Sequence, residues 1–147
     1  MTLADQATLA TLYPLEFFIA ATPISLQAKA ASKTRWKLTV AEAARKRVQE
    51  TDELGFLDRR PVSLIVYYFP SAQMLGDVDN IVKPIMDALT RVAYMDDKNV
   101  ERVVVQKFEP QVEWDFADPD EQLAAALDTP PPVVYIRVDD DLSWRRL

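Results

Sequence analysis

Charged side chains alternate with apolar ones in residues 76–100, GDVDNIVKPIMDALTRVAYMDDKNV. The acids and lysines of this segment are Asp77, Asp79, Lys83, Asp87, Asp96, Asp97 and Lys98. Carboxylate oxygens are the ligands that Mg²⁺, Mn²⁺ and Ca²⁺ prefer, and a nearby ammonium group can stabilise charge on a phosphoryl oxygen. These residue types are therefore suited to a metal-assisted phosphoryl-transfer site.

The spacing of Asp77, Asp79 and Lys83 allows their side chains to converge locally. Residues two apart in an extended segment point the same way, so the two acids share a direction. Asp79 and Lys83 are four apart, which places them on one helical face if the first turn is regular. Because two neighbouring carboxylates repel each other, a bound divalent cation is a natural way to satisfy both.

The same residues also fit a purely structural role. Acids at a helix N-terminus cap it and interact favourably with its dipole. Opposite charges recur every four residues, a spacing that stabilises a helix surface, at Asp79, Lys83, Asp87 and Arg91. Asp-Asp-Lys-Asn at 96–99 is typical of a turn. Spacing alone leaves both the metal site and the capped surface helix open.

Asp97 is the acid whose position the sequence does not explain. Apolar residues recur at spacings of three and four between Asn80 and Ala93, which predicts an amphipathic helix over that range. Such a helix would be about 20 Å long. Asp97 therefore reaches Asp77 only if the helix stops early and the chain doubles back, or if a partner subunit supplies it.

The composition excludes several other chemistries. The chain has 147 residues with no histidine and no cysteine, which excludes Ser-His-Asp and Cys-His catalysis and structural zinc sites. Its only glycines, Gly55 and Gly76, cannot form a P-loop or a GxGxxG motif. The length predicts a single domain over 1–147. The lack of cysteine and of a long apolar stretch predicts a cytoplasmic protein with no membrane partner.

Charge is unevenly distributed along the chain. The formal net charge of −6 counts against nucleic-acid binding. Residues 29–47, however, carry seven basic residues against one acid, whereas residues 109–141 carry ten acids against one arginine. The basic stretch suits a phosphate backbone with an aromatic ring that stacks on an unpaired base, although a solvated helix face explains it equally well. The candidate DNA-binding residues are Lys29, Lys33, Arg35, Trp36 and Lys37.

The remaining patterns indicate an α/β (α+β) fold. We predict strands at 12–21, 61–69, 100–109 and 129–138, and helices at 40–51, 80–93 and 118–128. Residues 22–38 are polar, basic and free of glycine, and we expect a mobile loop that runs into the first helix. The resulting order of elements predicts a small mixed sheet of about four strands with helices packed on it.

Residues 76–100 resemble the RusA-type Holliday junction resolvases. The resemblance rests on the pattern DxDNxxKxxxDAL, which begins at Asp77, followed by Tyr94 and the pair Asp96-Asp97. It implies a RusA-like nuclease fold, a homodimer, and Mg²⁺- or Mn²⁺-dependent cleavage of four-way DNA junctions by paired nicks. Matched residue by residue, it implies metal-binding catalytic acids and an essential lysine. The acids are Asp77, Asp79 and Asp97, the lysine is Lys83, and Asp96 is an adjacent candidate metal ligand.

The chain also departs from the family pattern. Thr90-Arg91 stands where relatives often have Asn-Gly, the net charge is acidic, and the loop at 109–132 has no obvious counterpart. The prediction is a metal-dependent, structure-selective endodeoxyribonuclease that acts on branched DNA in recombination and repair. The alternative is a non-catalytic nucleic-acid-binding or assembly protein that keeps the fold. A third possibility is an enzyme that acts on small phosphates.

Overall fold

The computed structural model describes residues 12–51 and 57–146. Four strands form one sheet: β1 (Leu15–Ile19), β2 (Val62–Phe69), β3 (Val100–Lys107) and β4 (Val133–Asp139). The α-helices are α1 (Ala30–Thr51), α2 (Val82–Leu89) and α3 (Glu121–Leu127). Short 3₁₀ turns lie at Val78–Ile81, Asp97–Asn99 and Ser143–Arg145. The predicted α/β sheet of about four strands is confirmed.

The strand order, β1-β4-β2-β3, determines where the candidate site lies. Strand β4 pairs antiparallel with both β1 and β2, whereas β2 and β3 are parallel. Parallel neighbours require a crossover connection, because the chain must return to the starting edge of the sheet. Residues 70–99 form this crossover, and they contain every acid of the predicted site.

Helix α1 begins at Ala30, well before the predicted start at Val40. Trp36, Val40 and Ala44 recur at four-residue spacing and are 5%, 0% and 0% exposed, so they form one buried face of the helix. The expected mobile loop is therefore wrong from Ala30 onward. The buried indole of Trp36 anchors the polar first half of the helix to the core.

The two faces of the sheet are covered differently. Helices α1 and α2 cover one face, where they pack on Leu64, Val66 and Ile136. Helix α3 covers part of the other face beside an aromatic cluster, whose rings are Tyr67, Phe69, Phe108, Trp114, Phe116 and Tyr135. None of the described helices is long and apolar enough to cross a membrane.

Helix α2 is shorter than the predicted helix from Asn80 to Ala93. It spans only Val82–Leu89, about 12 Å, and a 3₁₀ turn precedes it. Pro84 is its third residue, within the first turn, where a missing N–H sacrifices no intrahelical hydrogen bond. The predicted helix combined a 3₁₀ turn, a two-turn helix and a tight turn, because all three bury apolar residues at similar spacing.

The chain leaves α2 through a tight turn at Arg91. Arg91 has φ 66°, in the left-handed region that favours glycine. The N–H groups of Val92 and Ala93 both donate to the carbonyl of Leu89, at 3.0 and 2.8 Å. Glycine would adopt the positive φ of this turn without strain.

We expect Arg91→Gly to stabilise the protein. The left-handed conformation costs a non-glycine residue on the order of 1 kcal/mol, and only part of this is offset by the greater freedom of glycine in the unfolded chain. Thermal unfolding should show a Tm about 2 °C higher. The control Arg45→Gly, at an exposed site within α1, should lose about 1 kcal/mol. A lower Tm for Arg91→Gly would contradict the strained turn.

Candidate active site

Asp77 and Asp79 lie on the approach to α2 with their side chains exposed. Asp77 occupies the N-cap position of the 3₁₀ turn, yet its side chain accepts no capping hydrogen bond. Within residues 12–51 and 57–146, neither carboxylate forms a hydrogen bond or an ion pair. The contacts of these two acids therefore give no support to the capping role, and both carboxylates face solvent.

Lys83 lies between two carboxylates. Its Nζ is 2.9 Å from Asp87 Oδ1 and 3.1 Å from Asp97 Oδ2. The other oxygen of Asp87, Oδ2, is 3.4 Å from Lys37 Nζ on α1. The hydrogen bonds to Asp87 and then Asp97 raise the pKa of Lys83, so its ammonium group stays charged. These contacts join α1, α2 and the end of the crossover in one chain of alternating charges.

The predicted charge ladder along α2 forms only in part. Lys83 and Asp87 pair at four-residue spacing, but Lys83 makes its second contact with Asp97 instead of Asp79. Asp79 belongs to a 3₁₀ turn, which has three residues per turn, so the fourfold spacing no longer aligns the side chains. Arg91 lies beyond the end of the helix.

The return of Asp97 to Lys83 depends on two buried tyrosines. Tyr13 Oη donates to the carbonyl of Ala93 and Tyr94 Oη to that of Met86, each at 2.7 Å. Burial raises the pKa of Tyr13 to about 12 and also raises that of Tyr94, so both hydroxyls remain donors. The chain therefore doubles back after α2, and Asp97 contacts Lys83 of the same chain.

Asp96 and Asp97 have different roles in the turn before β3. Asp96 Oδ1 accepts a hydrogen bond from the N–H of Lys98 at 2.9 Å, and the side chain of Asn99 accepts one from the N–H of Asp96 at 3.1 Å. The Lys98 N–H holds the pKa of Asp96 below its usual value. Asp96 thus stabilises the turn, as the turn interpretation predicts, and leaves Asp97 to face Lys83. Its predicted role as a metal ligand has no support from these contacts.

The donor set suits a hard cation, but the acids are not gathered into one cluster. All three candidate ligands, Asp77, Asp79 and Asp97, supply carboxylate oxygens. Within the part of the chain that the structure describes, no group of three or more acids is close enough to form a ready metal site. The ion pair with Lys83 uses one oxygen of Asp97. Joint binding of a metal by the three acids remains a prediction.

The predicted DNA-binding residues divide into exposed cations and one core residue. Lys29 and Arg35 are exposed, Lys33 donates to the carbonyl of Leu26 at 3.1 Å, and Lys37 pairs with Asp87. Trp36 is buried, so its predicted stacking on an unpaired base is wrong for this conformation. The four-residue spacing from Trp36 to Val40 was the signal in the sequence that indicated burial.

Much of the acidic stretch lies on the opposite face of the sheet from α2. There, Arg137 forms ion pairs with Glu16, Asp120 and Asp139, and a cavity of about 570 Å³ lies beside this network. None of the predicted site residues lines that cavity. The negative charge of this region is therefore partly neutralised, and it lies away from the Lys83 face.

Comparison with known families gave a match that covers the predicted site. The profile of the family described as endodeoxyribonuclease RusA matches residues 24–113. This range contains α1, β2, the crossover and β3, and thus all the predicted site residues; β1, α3 and β4 lie outside it. Comparison with curated proteins gave no match. The resemblance seen in residues 76–100 is confirmed.

We expect Tyr94→Phe to destabilise the turn that returns Asp97 to Lys83. The substitution removes a buried hydroxyl donor from the carbonyl of Met86, which should lower the free energy of unfolding by about 1 kcal/mol in urea titrations. Tyr67→Phe is the matched control, since the Tyr67 hydroxyl has no hydrogen-bond partner among the described residues. Equal effects of the two substitutions would argue against a special role for Tyr94.

Proposed function

Because the chain belongs to the RusA endodeoxyribonuclease family, we propose that it resolves four-way (Holliday) DNA junctions by divalent-metal-dependent, paired phosphodiester hydrolysis. The observation that supports this proposal best is the ion pair between Lys83 and Asp97, 14 residues apart. It gathers a cation and an acid of the family motif in the same crossover segment that exposes Asp77 and Asp79.

Each site residue has a distinct role in the proposed reaction. Asp77, Asp79 and Asp97 would hold Mg²⁺ or Mn²⁺, since carboxylates are preferred ligands of both ions. The bound ion would polarise the scissile phosphate and lower the pKa of an attacking water. Lys83 donates a hydrogen bond to a non-bridging phosphate oxygen and thereby stabilises the charge that develops there.

The proposed partner is branched DNA bound by a homodimer. A two-fold symmetric dimer matches the approximate symmetry of a four-way junction and places one site on each of two strands. The first half of α1 adjoins the site through the Lys37–Asp87 ion pair. Lys29, immediately before this helix, and Lys33 and Arg35 within it would contact phosphates that flank the cut.

A non-catalytic junction-binding or assembly protein is the second candidate. The observation in its favour is the lack, among the described residues, of a preassembled group of three acids. In that case the charged residues of the crossover would serve binding and stability alone. The two candidates differ in a single property, which is whether the protein cuts the junction that it binds.

Asp79→Asn is expected to abolish junction cleavage while leaving folding intact, because it removes a charged oxygen ligand from an exposed position. The measurement is nicking of a labelled four-way junction in Mg²⁺, compared with a matched linear duplex. Asp128→Asn, which makes the same charge change outside the site, is the control. Salt-sensitive junction binding without cleavage by the wild type would favour the non-catalytic candidate. Failure to bind any DNA would favour an enzyme acting on small phosphates.

Substitution of Lys29, Lys33 or Arg35 by alanine should weaken junction binding. Each lost phosphate contact should reduce the slope of log K against log salt by about one, measured by fluorescence anisotropy. Lys107→Ala, which removes a cation at the end of β3 that pairs with Glu109, is the control. Unchanged slopes for all three variants would show that the start of α1 and the residue before it form a solvated surface.

A further inference from the structure

Lys83 has two carboxylate partners, Asp87 and Asp97, with different proposed roles. Asp97 belongs to the proposed metal-binding acids, whereas Asp87 does not. The Lys83 ammonium lies 3.1 Å from Asp97 Oδ2, where it serves as the counter-ion of that carboxylate. A divalent cation bound to Asp97 would repel the ammonium and compete with it for the same negative charge.

We propose that Asp87 is a positioning residue that retains the Lys83 ammonium at the site when a divalent cation engages Asp97. The inference rests on the proposed function, because it takes Asp97 as a metal ligand. When the cation binds Asp97, the Lys83 ammonium loses its ion pair with Asp97 but keeps the one with Asp87. It therefore stays at the site and remains available to a phosphate oxygen.

The geometry of Asp87 suits this role. It lies one turn after Lys83 on α2, so the regular helix fixes the separation of the two backbones. Its Oδ1 is 2.9 Å from Lys83, and its Oδ2 faces Lys37 on α1 at 3.4 Å. The carboxylate is thus held from two sides, with one oxygen directed at Lys83.

Stability alone does not account for this arrangement. The side chains of Lys83, Asp87 and Asp97 are 47%, 32% and 39% exposed, and ion pairs at such positions are screened by water and contribute little to folding. The larger effect of Asp87 is on the position of the Lys83 ammonium. That position determines how strongly Lys83 competes with a cation for Asp97.

The inference is tested by Mn²⁺ binding to the full-length protein without DNA, measured by electron paramagnetic resonance. Asp87→Asn leaves Lys83 with Asp97 as its remaining partner, so Mn²⁺ should bind roughly two- to fivefold more weakly. Lys83→Met should bind Mn²⁺ more tightly by a similar factor. The double variant Asp87→Asn/Lys83→Met should bind Mn²⁺ as Lys83→Met does, because Asp87 acts through Lys83.

Two further variants separate positioning from general effects. Asp87→Glu keeps a carboxylate on the same helical face and should restore most of the wild-type affinity for Mn²⁺. Asp115→Asn makes the same charge change at an exposed position outside the site and should leave the affinity unchanged. Circular dichroism serves as the check that each variant is folded. In junction cleavage at saturating Mn²⁺, Asp87→Asn should lower kcat roughly tenfold without changing KM.

The outcomes that overturn the inference are distinct from failure of the proposed function. If Asp87→Asn weakens Mn²⁺ binding equally with and without Lys83, the effect is direct charge attraction and the inference fails. If Asp87→Asn leaves Mn²⁺ binding unchanged, the inference also fails, while the nuclease proposal stands on junction cleavage. If the wild type binds no Mn²⁺ and cuts no junction, the proposed function itself is wrong, and the inference falls with it.

Discussion

The candidate site depends on contact between Lys83 and an acid that the chain reaches only after leaving α2 and turning back. The two ion pairs of Lys83 lie at 2.9 and 3.1 Å, but exposed pairs of this kind are worth about 1 kcal/mol or less. They cannot by themselves hold a chain reversal in place. The reversal is secured by burial, since Leu89, Ala93 and Tyr94 are each 0% exposed. The surface charges are positioned by a turn whose stability comes from the core.

The parallel pairing of β2 and β3 creates the need for this reversal. A crossover must run from the end of β2 back to the start of β3, and here it carries the acids, the lysine and the helix that supports them. Helix α1 packs on the same face of the sheet and supplies Lys37 to the far side of Asp87. The family match at 24–113 covers these elements. The motif residues and the elements that position them therefore form one structural unit.

Segregation of charge reconciles an acidic protein with a nucleic-acid substrate. The ion-pair network of Glu16, Asp120, Asp139 and Arg137 lies on the sheet face opposite α2, whereas Lys37 of α1 joins the Lys83 ion pairs through Asp87. Because screening by salt limits electrostatic effects to about 10 Å, local charge matters more than net charge for the approach of a phosphate backbone. The net charge of −6 is therefore a weak argument against DNA binding.

The strands, the fold class and the family follow from the sequence alone, whereas the roles of the candidate site residues stay a prediction. Strands such as Val62–Phe69 are strongly apolar and β-branched, and the motif that begins at Asp77 has defined offsets, so both signals are local. The sequence left open the reach of Asp97 and misplaced the start of α1 and the end of α2. Tertiary contacts settle the last of these, because the early end of α2 is held by the hydrogen bond from Tyr13 to Ala93, 80 residues apart. No window of local sequence contains both partners of such a contact.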